Sequence, residues 1–297
     1  MQVPANNLLT DDRIELGKYL FYNPAMSKDS SISCSSCHLP EHAFTDQRMF
    51  SIGSDKQLGT SNSPSLANIG YHPYFTRAGG VNSLEIQVLV PIQEHNEFNF
   101  NLLKIESRLK QDSYFVHMAK KTYPDNEPYF AITASIASFE RTLVSNQSRF
   151  DYYLNGLGTL NDQERLGMEL FFSAKTNCSH CHGGFNFTDY SFSNNGAVTI
   201  KNDSGRYRIT HLTSDIGQFK VPSLRNVALT APYMHDGSIG SLKEVLVSYN
   251  KGGNNKAYTQ NHLIKELQLS DKELAQLEAF LNTLTDYNFI QNPKFKH

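Results

Sequence analysis

The sequence predicts a mainly α-helical chain with little strand, divided into two similar domains. A capped helix precedes each of two short cysteine motifs, with Thr10 as the first N-cap and Asn161 as the second. The same tripeptide, Phe-Thr-Asp, follows both motifs, at 44–46 and at 187–189. A repeat of this kind indicates internal duplication. We place the domains at 1–156 and 157–297, with the boundary in a glycine-bearing stretch.

Helical patterns also occupy the segment between the motifs and the end of the sequence. The first of these predicted helices carries apolar residues along one face: Ile132, Ile136, Phe139 and Leu143. The last helix begins at a capping box formed by Ser270 and Glu273. It is expected to bury four leucines: Leu274, Leu277, Leu281 and Leu284. By contrast, 183–232 shows little periodicity, as expected where loops wrap a cofactor.

The four cysteines of the chain all lie in two copies of Cys-x-x-Cys-His. The copies are Cys34, Cys37 and His38, and Cys178, Cys181 and His182. At this spacing two thiols reach the two vinyl groups on one edge of a porphyrin, and the adjacent histidine can ligate the iron. The pattern therefore predicts two covalently bound c-type haems, one in each cytochrome-c-like domain. A dithiol motif needs a βαβ context that is not found, and a structural zinc site leaves both histidines unexplained.

Charge, hydropathy and the predicted haems limit the expected partners and cellular compartment of the protein. The net charge is −2 and the pI about 6.6, so no basic surface for nucleic acid is expected. No apolar run is long enough to cross a bilayer. Covalent haem is attached on the exported side of bacterial membranes, so we expect a periplasmic protein whose signal peptide has been removed.

Longer motifs around the two haem sites give the chain a specific resemblance. The segments are 62–66 (Asn-Ser-Pro-Ser-Leu), 83–87, 91–92, 140–143 (Glu-Arg-Thr-Leu), 219–226 and 230–237 (Thr-Ala-Pro-Tyr-Met-His-Asp-Gly). In their order and spacing, these segments resemble the bacterial dihaem cytochrome c peroxidases and their relative MauG. The likeness extends over nearly the whole chain.

The resemblance implies that hydrogen peroxide binds at the N-terminal haem and that the C-terminal haem handles electrons. In the peroxidases a distal histidine blocks the first haem until reduction, and Ser54 stands at its aligned position. A serine hydroxyl is a poor iron ligand, so the first haem is expected to be five-coordinate or to hold only water. His42, His72 and His95 are nearby alternatives for a distal ligand.

The family's peroxide pocket maps onto three residues. Gln87 matches a positioning glutamine, Glu97 matches the acid/base glutamate, and Pro91 is expected to pack over the haem. Breaking the O–O bond requires a proton to move from one peroxide oxygen to the other, which is the role implied for Glu97. Without the resemblance, Glu97 would be interpreted as a solvated acid in a polar segment, and so would its neighbour Glu94.

The sixth ligand of the second haem has two candidates. The family places methionine there in the peroxidases and tyrosine in MauG, and the interval from Pro232 leads to Tyr249. Met234 is the competitor, because methionine is the commoner ligand in cytochromes c. Tyrosinate favours ferric and higher states of the iron, whereas methionine favours ferrous iron.

Two further features concern the region between the haems. The resemblance implies one calcium ion, held by the Asn62 side chain and by the carbonyl oxygens of Thr230 and Pro232. The family's inter-haem tryptophan is missing, since this chain has no tryptophan and Arg77 occupies its place. Either Tyr71 or Tyr74 substitutes for the tryptophan, or electron transfer between the haems is slower.

These expectations lead to one main hypothesis and two alternatives. The main hypothesis is a dihaem peroxidase that reduces hydrogen peroxide with electrons from a small cytochrome or copper protein. The first alternative is a MauG-like oxidase that modifies residues of a partner protein. The second is a non-catalytic dihaem electron carrier, in which Gln87 and Glu97 would be incidental.

Overall fold

The computed structural model describes residues 1–197, 203–253 and 259–297. Its helices are α1 (Asp11–Tyr22), α2 (Leu84–Gln87), α3 (Leu89–Gln93), α4 (Leu102–Leu109), α5 (Ser113–Thr122), α6 (Pro128–Arg141), α7 (Arg149–Leu154), α8 (Asp162–Phe171), α9 (Cys178–Cys181), α10 (Tyr207–Thr210), α11 (Leu242–Asn250), α12 (Asp271–Asn282) and α13 (Tyr287–Gln291). Short 3-10 helices lie at Pro24–Met26, Cys34–Ser36, Pro40–His42, Ser54–Lys56, Ile69–Tyr71, Thr213–Asp215, Val227–Leu229 and Pro293–Phe295. In the described ranges the only paired strands are β1 (Phe192–Ser193) and β2 (Phe219–Lys220), which are antiparallel with Phe192 opposite Lys220. The mainly helical prediction is confirmed.

The chain forms two compact units. The first unit contains 1–75, 81–144 and 290–297, and the second contains 76–80 and 145–289. The main division therefore falls between 144 and 145, not at the predicted boundary of 156 and 157. The cause is α7, because Phe150 packs on the rings of Phe187 and Phe280 in the second unit.

The predicted helix starts are confirmed by their caps. The Thr10 side chain accepts a hydrogen bond from the Arg13 N–H at the start of α1. Asn161 forms a capping box at α8, and Ser270 forms one with Glu273 at α12. Each cap satisfies N–H groups that have no partner within the helix.

The apolar face predicted for α6 was too narrow. Ile132, Ile136 and Phe139 are buried, but so are all the remaining residues from Ala131 to Arg141. This helix packs against α1, α2, α4 and α5, so it has no solvent-facing side in that stretch. Some of its polar residues are paired inside the unit, as Arg141 is with Glu85 at 2.7 Å.

Each unit is built on one close pair of helices. In the first unit Gly17 of α1 meets α6, and a Cβ at Gly17 would lie 1.8 Å from the Ser135 carbonyl oxygen. In the second unit Gly167 of α8 meets α12, where a Cβ would lie 1.8 Å from the Gln276 carbonyl oxygen. In both pairs only glycine permits the contact, so the equivalent glycines set the helix spacing.

The loop after each haem motif also repeats the same contacts. Asn68 and Asn226 both adopt the left-handed conformation, with φ values of 59° and 60°. The Asn68 N–H donates to the Leu143 carbonyl at 2.8 Å, and the Asn226 N–H donates to the Leu284 carbonyl at 3.0 Å. The repeated sequence thus corresponds to repeated hydrogen bonds.

None of the helices in the described ranges combines the length and the hydrophobicity that crossing a bilayer requires.

Replacing Gly167 by alanine is expected to force α8 away from α12. The clash is with backbone and cannot be relieved by rotating a side chain, so we expect the free energy of unfolding to fall by about 1–3 kcal/mol or more. Denaturant unfolding measures the change. Gly240→Ala is the matched control, because a Cβ there meets only the flexible Glu244 side chain at 3.6 Å. Equal effects of the two substitutions would contradict the proposed role of Gly167.

Candidate active site

The first Cys-x-x-Cys-His motif lies in the first unit. The Cys34–Ser36 turn precedes Cys37, whose carbonyl accepts a hydrogen bond from Ser63 Oγ at 2.8 Å. Both cysteines are unbridged and partly exposed. Protein atoms around the sulfurs raise the pKa of Cys37 to about 11 and also raise the pKa of Cys34. The thiols are therefore not poised as redox dithiols, which need lowered pKa values.

His38 is held in one orientation by a backbone carbonyl. Its Nδ1 lies 2.8 Å from the Phe44 oxygen, and Ala43 and Phe44 both have positive φ in the turn that presents this oxygen. A carbonyl can only accept, so Nδ1 carries the hydrogen and Nε2 keeps its lone pair. Burial lowers the pKa of His38, which favours the neutral imidazole that a metal ligand needs.

The second motif repeats this arrangement in the second unit. Cys178–Cys181 forms α9, and His182 Nδ1 lies 3.1 Å from the Phe187 oxygen, with Phe187 at a φ of 50°. Burial lowers the pKa of His182 as well. Two thiols and one neutral imidazole therefore occur in each unit, and this donor set fits covalently attached haem.

Glu97 lies in a tight turn that folds back on α3. Its N–H donates to the Glu94 carbonyl at 3.1 Å, and the next N–H, of Phe98, donates to the Pro91 carbonyl at 3.1 Å. The side chain of Glu97 is exposed, yet protein atoms around its carboxyl group desolvate it. Together with the negative charge of Glu94, this raises the pKa of Glu97 to about 7.

Ser54 fixes the backbone of that turn. Its N–H donates to the Glu97 carbonyl at 2.8 Å, and its hydroxyl donates to the Phe98 carbonyl at 3.1 Å. Ser54 is fully buried, and a Cβ at Gly53 would lie 2.2 Å from the Asn96 oxygen. The hydroxyl is thus engaged by backbone, and the expectation that it does not ligate iron stays a prediction.

Gln87 ends α2 with a buried amide oxygen. Among the described residues its Oε1 has no hydrogen-bond partner. A buried acceptor without a partner is costly, so such an atom in a native protein calls for a donor from outside the chain. A protonated peroxide oxygen is a donor of this kind.

Tyr249 and Met234 meet at one side chain. The Asn195 amide nitrogen lies 3.2 Å from the Tyr249 hydroxyl and 3.4 Å from the Met234 sulfur. Burial raises the pKa of Tyr249, and the charges of Cys178 and Cys181 contribute to that rise. The phenol is thus within electrostatic reach of the second haem motif.

Pro91 and Tyr249 occupy equivalent positions in the two units. In the first unit the Phe75 N–H donates to the Val81 carbonyl at 2.7 Å, and Ser83 then caps α2. In the second unit the Tyr233 N–H donates to the Ile239 carbonyl at 2.7 Å, and Ser241 then caps α11. Pro91 follows the first cap by eight residues and Tyr249 follows the second by eight.

A family model of the di-haem cytochrome c peroxidases matches residues 11–159. The chain belongs to this family. It is 34% identical to the methylamine utilization protein MauG of Methylorubrum extorquens, over 95% of this chain and 80% of that protein. It is 32% identical to the cytochrome c551 peroxidase of Nitrosomonas europaea, over 96% of this chain and 82% of that protein.

Two crystal structures are also similar. A MauG-like protein associated with microbial copper homeostasis has a TM-score of 0.94 and 36% identity, over 99% of this chain and 95% of that chain. The diheme peroxidase BthA from Burkholderia thailandensis has a TM-score of 0.86, over 97% of this chain and 90% of that chain. Its identity is 20%, so this second likeness concerns the fold alone.

The residues predicted to bind calcium are divided between the units of this family member. Asn62 lies in the first unit, where its amide nitrogen donates to the Arg48 carbonyl at 2.7 Å. Thr230 and Pro232 lie in the second unit, and the Thr230 hydroxyl donates to the Val227 carbonyl at 3.1 Å. The calcium site stays a prediction.

Arg77, at the position of the missing tryptophan, lies in a polar part of the second unit. Its carbonyl accepts from the Lys220 N–H at 2.8 Å, and its guanidinium reaches the Met234 carbonyl at 3.5 Å. Burial lowers its pKa to about 10, and the charges of Asp203 and Asp236 act in the opposite direction. The residue stays cationic at neutral pH.

Sequence reasoning missed two residues near these sites. Asn195 lies in the segment without periodicity, and no pattern marks it. Glu140 appeared only as part of a family motif, although an acid inside an apolar helix was a usable signal. It is buried, its Oε2 has no partner among the described residues, and its charge contributes to the raised pKa of Cys34.

Glu140→Gln is expected to stabilise the protein at high pH. Burial raises the pKa of Glu140 from 4.5 to about 8, so between these values the folded state binds more protons than the unfolded state. The stability due to this group is therefore present at low pH and lost as pH rises through about 8. The variant should exceed the wild type in melting temperature above pH 8 and approach it near pH 5.

Glu127→Gln is the control for this measurement, because Glu127 begins the same helix but is exposed. Thermal unfolding across pH 5–9 gives both curves. A pH-independent difference between Glu140→Gln and the wild type would contradict the assigned titration.

Proposed function

We propose that this protein is a di-haem peroxidase that reduces hydrogen peroxide at the haem attached to Cys34 and Cys37. Electrons would arrive through the haem attached to Cys178 and Cys181, with His38 and His182 as the proximal ligands. Haem iron supplies the redox chemistry at each site when it is bound. The repeated helix pairs and loops support one covalently attached haem in each of two duplicated cytochrome-c-like units.

One observation carries the proposal: an acid with a pKa of about 7 lies in a turn held to the backbone of Pro91. A carboxylate at this pKa can take a proton from one peroxide oxygen and release it to the other at neutral pH. The buried Oε1 of Gln87 would accept a hydrogen bond from the bound peroxide and so orient it. Ser54 would keep Glu97 in place through the two backbone bonds that it makes.

These features disfavour a simple electron carrier. A carrier needs neither a general acid nor an unsatisfied polar atom, and it is best served by haem irons saturated with protein ligands. Ser54 is aligned with the peroxidases' distal histidine, and its hydroxyl donates a hydrogen bond to the Phe98 carbonyl. We therefore infer an open coordination position on the first haem.

Oxidation of a partner protein is the second candidate, and Tyr249 favours it. The match of Tyr249 to Pro91 in the repeated structure supports its placement as the sixth ligand of the second haem. The 34% identity to MauG points the same way. Arg77 weighs against it, because an arginine cannot carry an oxidising equivalent between the haems as a tryptophan could.

Several dependent assignments follow from the family. We propose one calcium ion bound by Asn62, Thr230 and Pro232, whose oxygen donors suit a hard cation. We also propose a periplasmic location and a small cytochrome or copper protein as the electron donor.

Steady-state assays separate the candidate functions. A peroxidase should oxidise a reduced small cytochrome rapidly and in proportion to added hydrogen peroxide. A long-lived oxidised state with slow turnover would favour the protein-modifying alternative. A resting spectrum in which both haems are entirely low-spin would favour the carrier and contradict the proposal.

Glu97→Gln is expected to slow the reaction with peroxide by about 10²- to 10⁴-fold, the usual contribution of a general acid/base. In the wild type the rate should rise through pH 7 and then level, because the carboxylate is the form that accepts the proton. In the variant this pH dependence should be absent. Stopped-flow absorption between pH 5 and pH 9 measures both rates.

Glu94→Gln is the matched variant for this experiment. Removing its charge should lower the pKa of Glu97, so the midpoint should move to lower pH while the rate at high pH stays close to that of the wild type. If the pH dependence persists in Glu97→Gln and its midpoint does not move in Glu94→Gln, another group is titrating.

A further inference from the structure

The side-chain NH₂ group of Asn195 lies close to both candidate ligands of the second haem, Tyr249 and Met234. Its Nδ2 lies 3.2 Å from the Tyr249 hydroxyl and 3.4 Å from the Met234 sulfur. An amide NH₂ group has two hydrogens, so it can serve both atoms together. Tyr249 and Met234 are therefore bound by the same side chain.

The orientation of this amide is fixed by its other end. Asn195 Oδ1 accepts a hydrogen bond from the Ala197 N–H at 3.0 Å. An N–H cannot donate to an NH₂ group, so this bond assigns the oxygen and directs the nitrogen toward the tyrosine and the methionine. The amide cannot turn over without losing the bond to Ala197.

The loop that carries Asn195 is itself tightly held. The buried Asn194 accepts from the Gly196 N–H at 2.9 Å through its side chain, and from the Asn261 N–H at 2.9 Å through its carbonyl. On the other side Gly253 approaches so closely that a Cβ there would lie 2.9 Å from the backbone carbonyl oxygen of Asn195. The position of the donor is thus fixed by contacts within the second unit.

The two hydrogen bonds have different chemical effects. A tyrosine oxygen has lone pairs enough to accept one N–H and still bind a metal. A thioether sulfur is a weak acceptor, and an N–H directed at it restrains the position of the methionine side chain. One amide therefore supports the oxygen as a donor and restrains the sulfur.

We propose that Asn195 is a positioning residue that selects Tyr249 over Met234 as the sixth ligand of the second haem. This inference rests on the proposed function, which places the haem of His182 beside Tyr249. It adds a determinant of ligand choice that lies outside both haem motifs.

Asn195→Ala in the haem-loaded protein tests the selection. We expect the second haem to change from a tyrosinate-type to a methionine-type absorption and electron paramagnetic resonance spectrum, with a higher reduction potential, because methionine favours ferrous iron. Adding Met234→Leu to Asn195→Ala should restore the tyrosinate-type spectrum. Met234→Leu alone should leave the spectrum unchanged.

The double substitution separates ligand selection from general damage to the loop. Disorder of the loop would alter the spectrum in a way that Met234→Leu does not reverse, and that result would overturn the inference. An Asn195→Ala protein with the wild-type spectrum and potential would overturn it as well. Haem content and thermal unfolding of each variant identify any loss of folding.

Tyr249→Phe distinguishes failure of this inference from failure of the proposed ligand. If it changes the spectrum of the second haem while Asn195→Ala does not, Tyr249 stands as the ligand and Asn195 has no part in its selection. If Tyr249→Phe leaves the spectrum unchanged, the ligand assignment fails and the inference fails with it.

Discussion

The hydrogen bond between the imidazole of each Cys-x-x-Cys-His motif and a backbone carbonyl is the constraint on which the rest of each unit depends. At His38 the acceptor is Phe44, and at His182 it is Phe187. Both phenylalanines hold positive φ, a conformation that bulky residues adopt only when surrounding contacts compensate for the strain. The Phe44 ring packs on Phe21 of α1, so the helix pair supports the turn that orients the ligand. The core and the histidine of each Cys-x-x-Cys-His motif are thus joined through one residue in each unit.

Equivalent positions in the two units carry different chemistry. Pro91 in the first unit offers no donor atom on its side chain, whereas Tyr249 in the second offers a phenol oxygen. The preceding bridge and the serine cap are shared, whereas the helix is interrupted at Val88 in the first unit and continuous in the second. Two units with similar local contacts can in this way present different side chains at corresponding positions. Glu97, the residue proposed as the acid/base group, also lies in the first unit.

Local sequence rules predicted the parts of the fold that depend on neighbouring residues. The caps at Thr10, Asn161 and Ser270 follow from short-range hydrogen bonds, and the haem motifs follow from spacing along the chain. The boundary was misplaced because α7 is held by Phe150, whose ring contacts are distant in sequence. The full burial of α6 and the contacts of Asn195 also arise from long-range packing, which no periodic pattern encodes. The raised pKa of Glu97 could not be foreseen either, since it depends on how the turn is enclosed.

The first unit is not continuous in the chain. Residues 290–297 return to it, and Phe295 from this segment packs against the ring of Phe44. The ring that supports the His38 acceptor therefore lacks one of its neighbours until residue 295 has been made. The turn at Phe44 is therefore fully supported only when residues 290–297 are packed on it.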